Sequence, residues 1–166
     1  MAFAAYVTKA GIETNKKGEK RAMSSLCGTN CCEECGRKQD CGGCEKCGGQ
    51  PFGGSCIAAE CVRRGGLDEF FHFKKELISE CNALQIKGLR VKNLNLLNGF
   101  FVNLGYPLAN GQKVKLLKDN RVYLGNQIEI EGSERCYGIV ADKGFILVCE
   151  YGCNGADPEI VLYKKR

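Results

Sequence analysis

The chain has 166 residues, about the size of one domain, with 44% hydrophobic and 26% charged residues; this balance fits an ordinary folded protein and excludes a large multidomain enzyme. No stretch approaches the roughly 18 consecutive apolar residues of a membrane-crossing helix, so no membrane partner is expected. Net charge is +5, of which residues 1 to 26 hold +3 and residues 27 to 66 none; positive charge concentrated in a tail argues against a nucleic-acid partner.

Residues 1 to 26 place the apolar run Ala2 to Val7 before the basic run Lys16-Lys17-Gly18-Glu19-Lys20-Arg21. A secretory signal has the opposite order, and Glu13 and Glu19 do not suit an organelle-targeting peptide. The expectation is a flexible basic tail, or an upstream extension with Met23 as the native start, on a cytoplasmic protein.

The unusual feature is 13 cysteines against one histidine and no tryptophan. Nine of the cysteines, Cys27, Cys31, Cys32, Cys35, Cys41, Cys44, Cys47, Cys56 and Cys61, fall within 35 residues. Residues 27 to 66 interleave them with glycines and few aliphatic side chains, so this segment cannot build an apolar core and needs a crosslink to order it. All nine are candidate metal ligands. Cys32-Glu33-Glu34-Cys35-Gly36 and Cys44-Glu45-Lys46-Cys47-Gly48 each have the Cys-x-x-Cys-Gly form that lets two thiolates converge on one ion, and together they predict a four-thiolate zinc site. The loop of eight residues between them is shorter than the about 15 to 20 of a standard ribbon. Cys41, Cys56, Cys61 and either Cys27 or Cys31 suffice for a second ion.

An iron–sulfur cluster is the alternative cofactor, because Cys41-x2-Cys44-x2-Cys47 reproduces the first three ligands of a bacterial ferredoxin run. The Cys-Pro that completes that run is absent: Gly48-Gly49-Gln50-Pro51 follows. A disulfide framework is opposed by the odd cysteine count and the missing export signal.

The run Cys41-Gly42-Gly43-Cys44, then Cys56-x4-Cys61 leading through Arg63-Arg64-Gly65-Gly66 into a helix, resembles the small cysteine-rich bacterial domains of unknown function that are held to bind metal. The resemblance covers about residues 27 to 85 and implies a metal module without assigning an activity. Those domains carry a further Cys-x-x-Cys before the helix, where this chain has none and only Cys81 follows.

From Leu67 the apolar period becomes helical: Phe70, Phe73, Leu77, Cys81 and Leu84 recur at spacings of three and four, predicting one long helix over about 67 to 85 with Asp68 and Glu69 in its first turn. Beyond Gly88, Phe100, Val102, Leu104 and Tyr106 alternate as a strand. Turns at Asn110-Gly111 and Asp119-Asn120 predict a three-stranded meander. A hairpin over about 135 to 141 and 145 to 151 turns at Asp142-Lys143-Gly144, and Ile160 to Tyr163 forms a last strand. The expected fold is α+β, with a cysteine-rich module (27–66) followed by a domain (67–166) of one long helix packed on a five- or six-stranded antiparallel meander sheet.

Cys136 and Cys149 flank the Asp142 turn, where they are small buried side chains, a ligand pair or a disulfide; Cys153 is the more exposed and a candidate reactive thiol. With His72 as the sole histidine, any Ser–His–Asp or Cys–His mechanism must use it, and its place between Phe71 and Phe73 suits a helix-boundary residue. Glu129, Glu131 and Glu134 read as a solvated strand end. Gly48 to Ser55 lacks the lysine of a phosphate-binding loop. No catalytic set is assembled. The strand Phe100-Phe101-Val102, apolar on both faces, is expected to be central or to form a homodimer surface. The function expected is an uncharacterised metal-binding protein with a structural zinc module on an α+β domain that binds a protein or small-molecule partner; the alternative is an iron–sulfur redox protein, small oxidoreductase or sensor.

Overall fold

The computed structural model describes residues 25–28, 38–97, 105–107 and 109–166. Two single-turn helices, α1 (Lys38–Cys41) and α2 (Cys44–Cys47), precede a 3-10 turn at Pro51–Gly53 and the two-residue strand β1 (Ser55–Cys56). The long helix α3 (Ile57–Asn82) follows, then β2 (Asn95–Leu97), β3 (Gly105–Pro107), β4 (Lys113–Lys115), β5 (Arg121–Glu129), β6 (Arg135–Ala141), β7 (Phe145–Gly152) and β8 (Glu159–Lys165).

The expected apolar stripe is the buried face of α3: Phe70, Phe73, Leu77 and Cys81 are all buried and Leu84 is half-buried. The helix starts ten residues earlier than the periodicity indicated, at Ile57, and bends at Gly65-Gly66. Gly66 takes φ 76°, a left-handed conformation that glycine adopts without a Cβ penalty. Ile57, Ala58, Ala59 and Cys61, on the first arm, are completely buried. The chain leaves α3 under the control of Asn82, whose side-chain amide donates to the Val91 carbonyl and whose side-chain oxygen accepts from the Val91 amide, both at 2.9 Å. This clamp satisfies both backbone polar groups of Val91 and delivers Val91 and Leu94 into the core.

The sheet has six strands in the order β1-β5-β6-β7-β8, with β2 also pairing β5. The sequence led to an antiparallel meander; the sheet is mixed, because β1 lies parallel to β5 through Ser55↔Arg121 and Cys56↔Val122. The expected three-stranded meander forms in part: β3 and β4 pair antiparallel across the Asn110-Gly111 turn, but as a separate two-stranded sheet, and β4 does not pair β5 beyond Asp119-Asn120. The chain bends inward at Leu116 and Leu117, and Leu117 is buried with Tyr123, Val140 and Leu147. The Tyr123 hydroxyl accepts from the Lys118 amide at 2.9 Å, anchoring this detour. The β6–β7 hairpin around Asp142-Lys143-Gly144 and the last strand appear as expected. Phe100-Phe101-Val102 lie outside the described residues.

Both sheet faces are buried. Val122, Leu124, Ile139, Ala141, Ile146 and Val148 face α3, whereas the opposite face carries the Leu117 cluster and a smaller one of Cys136, Cys149 and Tyr151. The entry to this core is tight. A Cβ at Gly54 would lie 1.6 Å from the Asn120 carbonyl oxygen, where the Ser55 amide donates to that same carbonyl at 3.0 Å. Gly54→Ala must therefore displace backbone at the β1–β5 junction, and the expected loss of stability is about 1–3 kcal/mol, read as a lower urea midpoint at unchanged slope.

One ionic cluster joins the strands to the helix. The Arg121 guanidinium donates to both Asp142 carboxylate oxygens at 2.6 Å, to Glu60 at 2.7 and 3.3 Å, and to the Ser55 hydroxyl. Lys143 Nζ sits 2.7 Å from Glu60. Beside the same β6–β7 turn, Arg166 donates to the Asp142 and Lys143 carbonyls at 3.4 Å, pairs with Glu80 at 2.6 Å and lies over the Phe73 ring, tying the end of β8 to α3.

Candidate metal centre

Residues 38 to 54 contain almost nothing that could form an apolar core: among those whose burial is described, only Gly43, Gly49 and Pro51 are buried. The backbone instead arranges sulfur. Gly42 and Gly43 have φ of 72° and 86°, which turns the chain sharply between Cys41 and Cys44 and brings the Gly43 amide to donate to Cys41 Sγ at 3.4 Å. Amide–sulfur contacts of this kind favour a thiolate by placing a positive dipole on it. Cys44 and Cys47 then occupy the two ends of the single turn α2, where a spacing of three puts side chains on one face. The Cys47 amide donates to the Gly43 carbonyl at 3.0 Å, and the turn ends when Gly48 adopts the left-handed conformation. Cys41, Cys44 and Cys47 are all half-buried.

This turn docks on α3. Arg63 donates to the Gly48 carbonyl, and a Cβ at Gly49 would lie 2.6 Å from Ala59 Cβ and 2.8 Å from Leu26 Cδ1. Cys27 and Cys56 are both buried in the main core. Burial pushes the Cys56 thiol up to about 11; the Ala59 amide opposes this and the neighbouring Cys27 adds to it. Cys61 is wholly enclosed, and its thiol is also raised by burial.

The nine candidate ligands therefore divide. Cys41, Cys44 and Cys47 line the glycine turn and α2; Cys27, Cys56 and Cys61 sit in the core; Cys31, Cys32 and Cys35 lie outside the described residues. Among the described residues, no group of three or more His, Cys, Asp and Glu side chains converges as a complete ion site. Cys44 and Cys47 are one of the two pairs that the four-thiolate arrangement requires, and their partners Cys32 and Cys35 belong to the segment not described.

His72 is exposed on α3, with Nε2 3.3 Å from Glu76. Glu129, Glu131 and Glu134 are exposed around the β5–β6 turn. The carboxyl-terminal cysteines depart from a Cys136–Cys149 pairing. Cys136 stands opposite Tyr151 and Cys149 opposite Gly138, and Cys136 is joined by a disulfide to Cys153. Cys153 is thus bonded rather than a thiol. The usable signal was the Gly152-Cys153-Asn154-Gly155 sequence, a turn able to fold a cysteine back beside the start of β6. The charged cluster at Arg121 was also not anticipated, since its members are separated by up to 83 residues in sequence. No helix among the described residues is long and apolar enough to cross a membrane. No family model, curated protein or solved structure matches this chain.

Proposed function

We propose that residues 27 to 61 hold a structural zinc ion, with Cys44 and Cys47 as one ligand pair and Cys32 and Cys35 as the other, in a cytoplasmic protein whose helix-and-sheet body binds a protein or small-molecule partner. The observation that carries this reading is the glycine turn from Cys41 to Cys44. It orders three cysteines where apolar side chains are too few to hold a chain together, and the Gly43 amide is already directed at sulfur. Zinc, when bound, supplies thiolate–metal bonds in place of a core. Gly48 caps α2, and Arg63 fastens the turn to α3. Leu67, Phe71, Val161 and Tyr163 are exposed and offer apolar contact to a partner.

The test is elemental analysis of the protein purified without added metal, beside Cys44→Ser and Cys47→Ser. Zinc near one equivalent per chain in the wild type, falling at least several-fold in both variants, is the expected result. Iron with acid-labile sulfide and a visible absorption band would replace this reading with an iron–sulfur redox centre, for which the Cys41-x2-Cys44-x2-Cys47 spacing is the support. Retention of full metal content by both variants would remove Cys44 and Cys47 from the ligand set.

A further inference from the structure

The carboxyl-terminal disulfide is built asymmetrically. Cys136 is completely buried, in a cluster with Cys149 and Tyr151, whereas Cys153 is exposed in the loop after β7. A polar chain ends on the buried sulfur: the Tyr151 hydroxyl donates to Gln127 Oε1 at 3.3 Å, and Gln127 Nε2 donates to Cys136 Sγ at 3.3 Å. The disulfide sulfur has no proton to give, so the amide turns its N–H to Cys136 and its oxygen to the tyrosine hydroxyl, which can donate to it.

We propose that Cys136–Cys153 is a thiol–disulfide exchange site, at which a small thiol of the glutathione class, or a dithiol reductant, forms a mixed disulfide with Cys153. The incoming thiolate attacks Cys153 Sγ, because Cys136 is enclosed. The Cys136–Cys153 bond breaks, a new S–S bond joins the reagent to Cys153, and the electron pair leaves on Cys136 Sγ. The Gln127 amide stabilises that leaving thiolate, which then takes a proton. With a dithiol, its second sulfur attacks the reagent sulfur, releasing Cys153 as a thiolate that is protonated in turn. The reductant ends as its own disulfide and the protein as two thiols. With a monothiol, Cys136 attacks in reverse and restores the original bond, so the adduct is reversible. Burial of Cys136 works against its departure as a thiolate, and the Gln127 hydrogen bond offsets part of that cost, since exchange is faster when the leaving thiolate is better stabilised.

The surroundings suit this role. Cys149 lies in the same cluster, but burial pushes its thiol up to about 11, so it remains protonated and does not compete for the bond. Two backbone hydrogen bonds hold this loop besides the bridge: the Cys153 amide donates to the Glu134 carbonyl at 2.9 Å, and the Gly152 amide to the Ala156 carbonyl at 2.8 Å. Exchange at this site must proceed in the folded chain.

The experiment treats the full-length protein with reduced glutathione under anaerobic, non-denaturing conditions, quenches with iodoacetamide at intervals, and maps the products by peptide mass spectrometry. Reduced glutathione adds only to existing disulfides, so the other cysteines do not obscure the result. The expected result is one adduct on the peptide holding Cys153, with Cys136 alkylated only after unfolding. The rate should fall about tenfold in Gln127→Leu, the scale of losing one hydrogen bond to a charged sulfur, and by a smaller factor, about two- to threefold, in Tyr151→Phe, which loosens the amide without removing it. Tyr151→Phe removes one oxygen and keeps the ring, which guards against a misfolded Gln127 variant. An adduct on Cys136, exchange that begins only with unfolding, or an unchanged rate in Tyr151→Phe would each overturn the proposal.

Discussion

Replacing Arg121 with methionine is expected to destabilise the protein by about 3–5 kcal/mol, the usual cost of removing one partner from an enclosed ion pair. Methionine keeps most of the stem volume, so packing changes little. What is lost is the cation that serves both Asp142, a buried residue, and Glu60. Lys143 still reaches Glu60, but nothing in the cluster replaces the two 2.6 Å hydrogen bonds to Asp142. The same side chain holds Ser55, so the parallel β1–β5 contact should weaken with it. Urea unfolding of the wild type and Arg121→Met at neutral pH reads the difference directly; a loss below about 1 kcal/mol would mean that the cluster is solvated and only marginally stabilising.

The pH dependence of this cluster has a definite sign. The Arg121 hydrogen bonds, opposed by burial and helped by Lys143, lower the Glu60 carboxyl from 4.5 to about 2. A carboxylate depressed in the folded state gives stability that is fully present above its unfolded value and disappears as pH falls through the folded one. The wild type should therefore lose this contribution between about pH 4.5 and 2, and Arg121→Met should show a shallower slope across that interval. Parallel slopes would detach Glu60 from the acid response.

The elements legible in the sequence were those long enough to display a period. Phe70, Phe73, Leu77 and Cys81 marked the buried face of α3 because about three turns repeat the same signal, and the β6–β7 hairpin was marked by apolar runs on both sides of Asp142-Lys143-Gly144. The first arm of α3 escaped notice because its apolar residues Ile57, Ala58 and Ala59 are consecutive and it runs only about two turns before the bend at Gly65-Gly66, too short for a stripe to repeat. A strand of two residues, β1, carries no periodicity at all, so its parallel pairing came entirely from tertiary contact. The meander failed at Leu116 and Leu117 for a related reason. Local alternation continued toward the turn, but burying Leu117 against Tyr123 and Leu147 outweighed extending the ladder. In the candidate site, Cys-x-x-Cys spacing identified residues that the backbone does present together at α2, whereas Cys56 and Cys61 share composition with that group but occupy the apolar core.

The largest effect expected is from removing the proposed zinc ion. Zinc bound by an otherwise unstable segment contributes on the order of 10 kcal/mol to its folding, and residues 38 to 54 have no buried aliphatic side chains to fall back on among those described. Stripping the ion with a strong chelator under reducing conditions should therefore melt α1 and α2 while leaving β5 to β8 folded. Hydrogen exchange resolves the two. The amides of Cys47, Gly49 and Gln50, hydrogen-bonded to Gly43, Cys44 and Cys47, should lose nearly all protection; the β6 and β7 amides, paired across seven register positions, should keep theirs. Glycine supplies the reason for so sharp a division, since Gly54 marks the last residue before β1 joins the sheet and the Asn120 contact begins. Re-addition of zinc alone should restore the lost protection. If the α2 amides stay protected after the ion has been removed, backbone and packing hold this segment without help from metal, and the zinc proposal is wrong. If they stay protected against chelator yet exchange freely after reduction alone, disulfides do the ordering, and Cys44 and Cys47 are bridge partners instead of ligands.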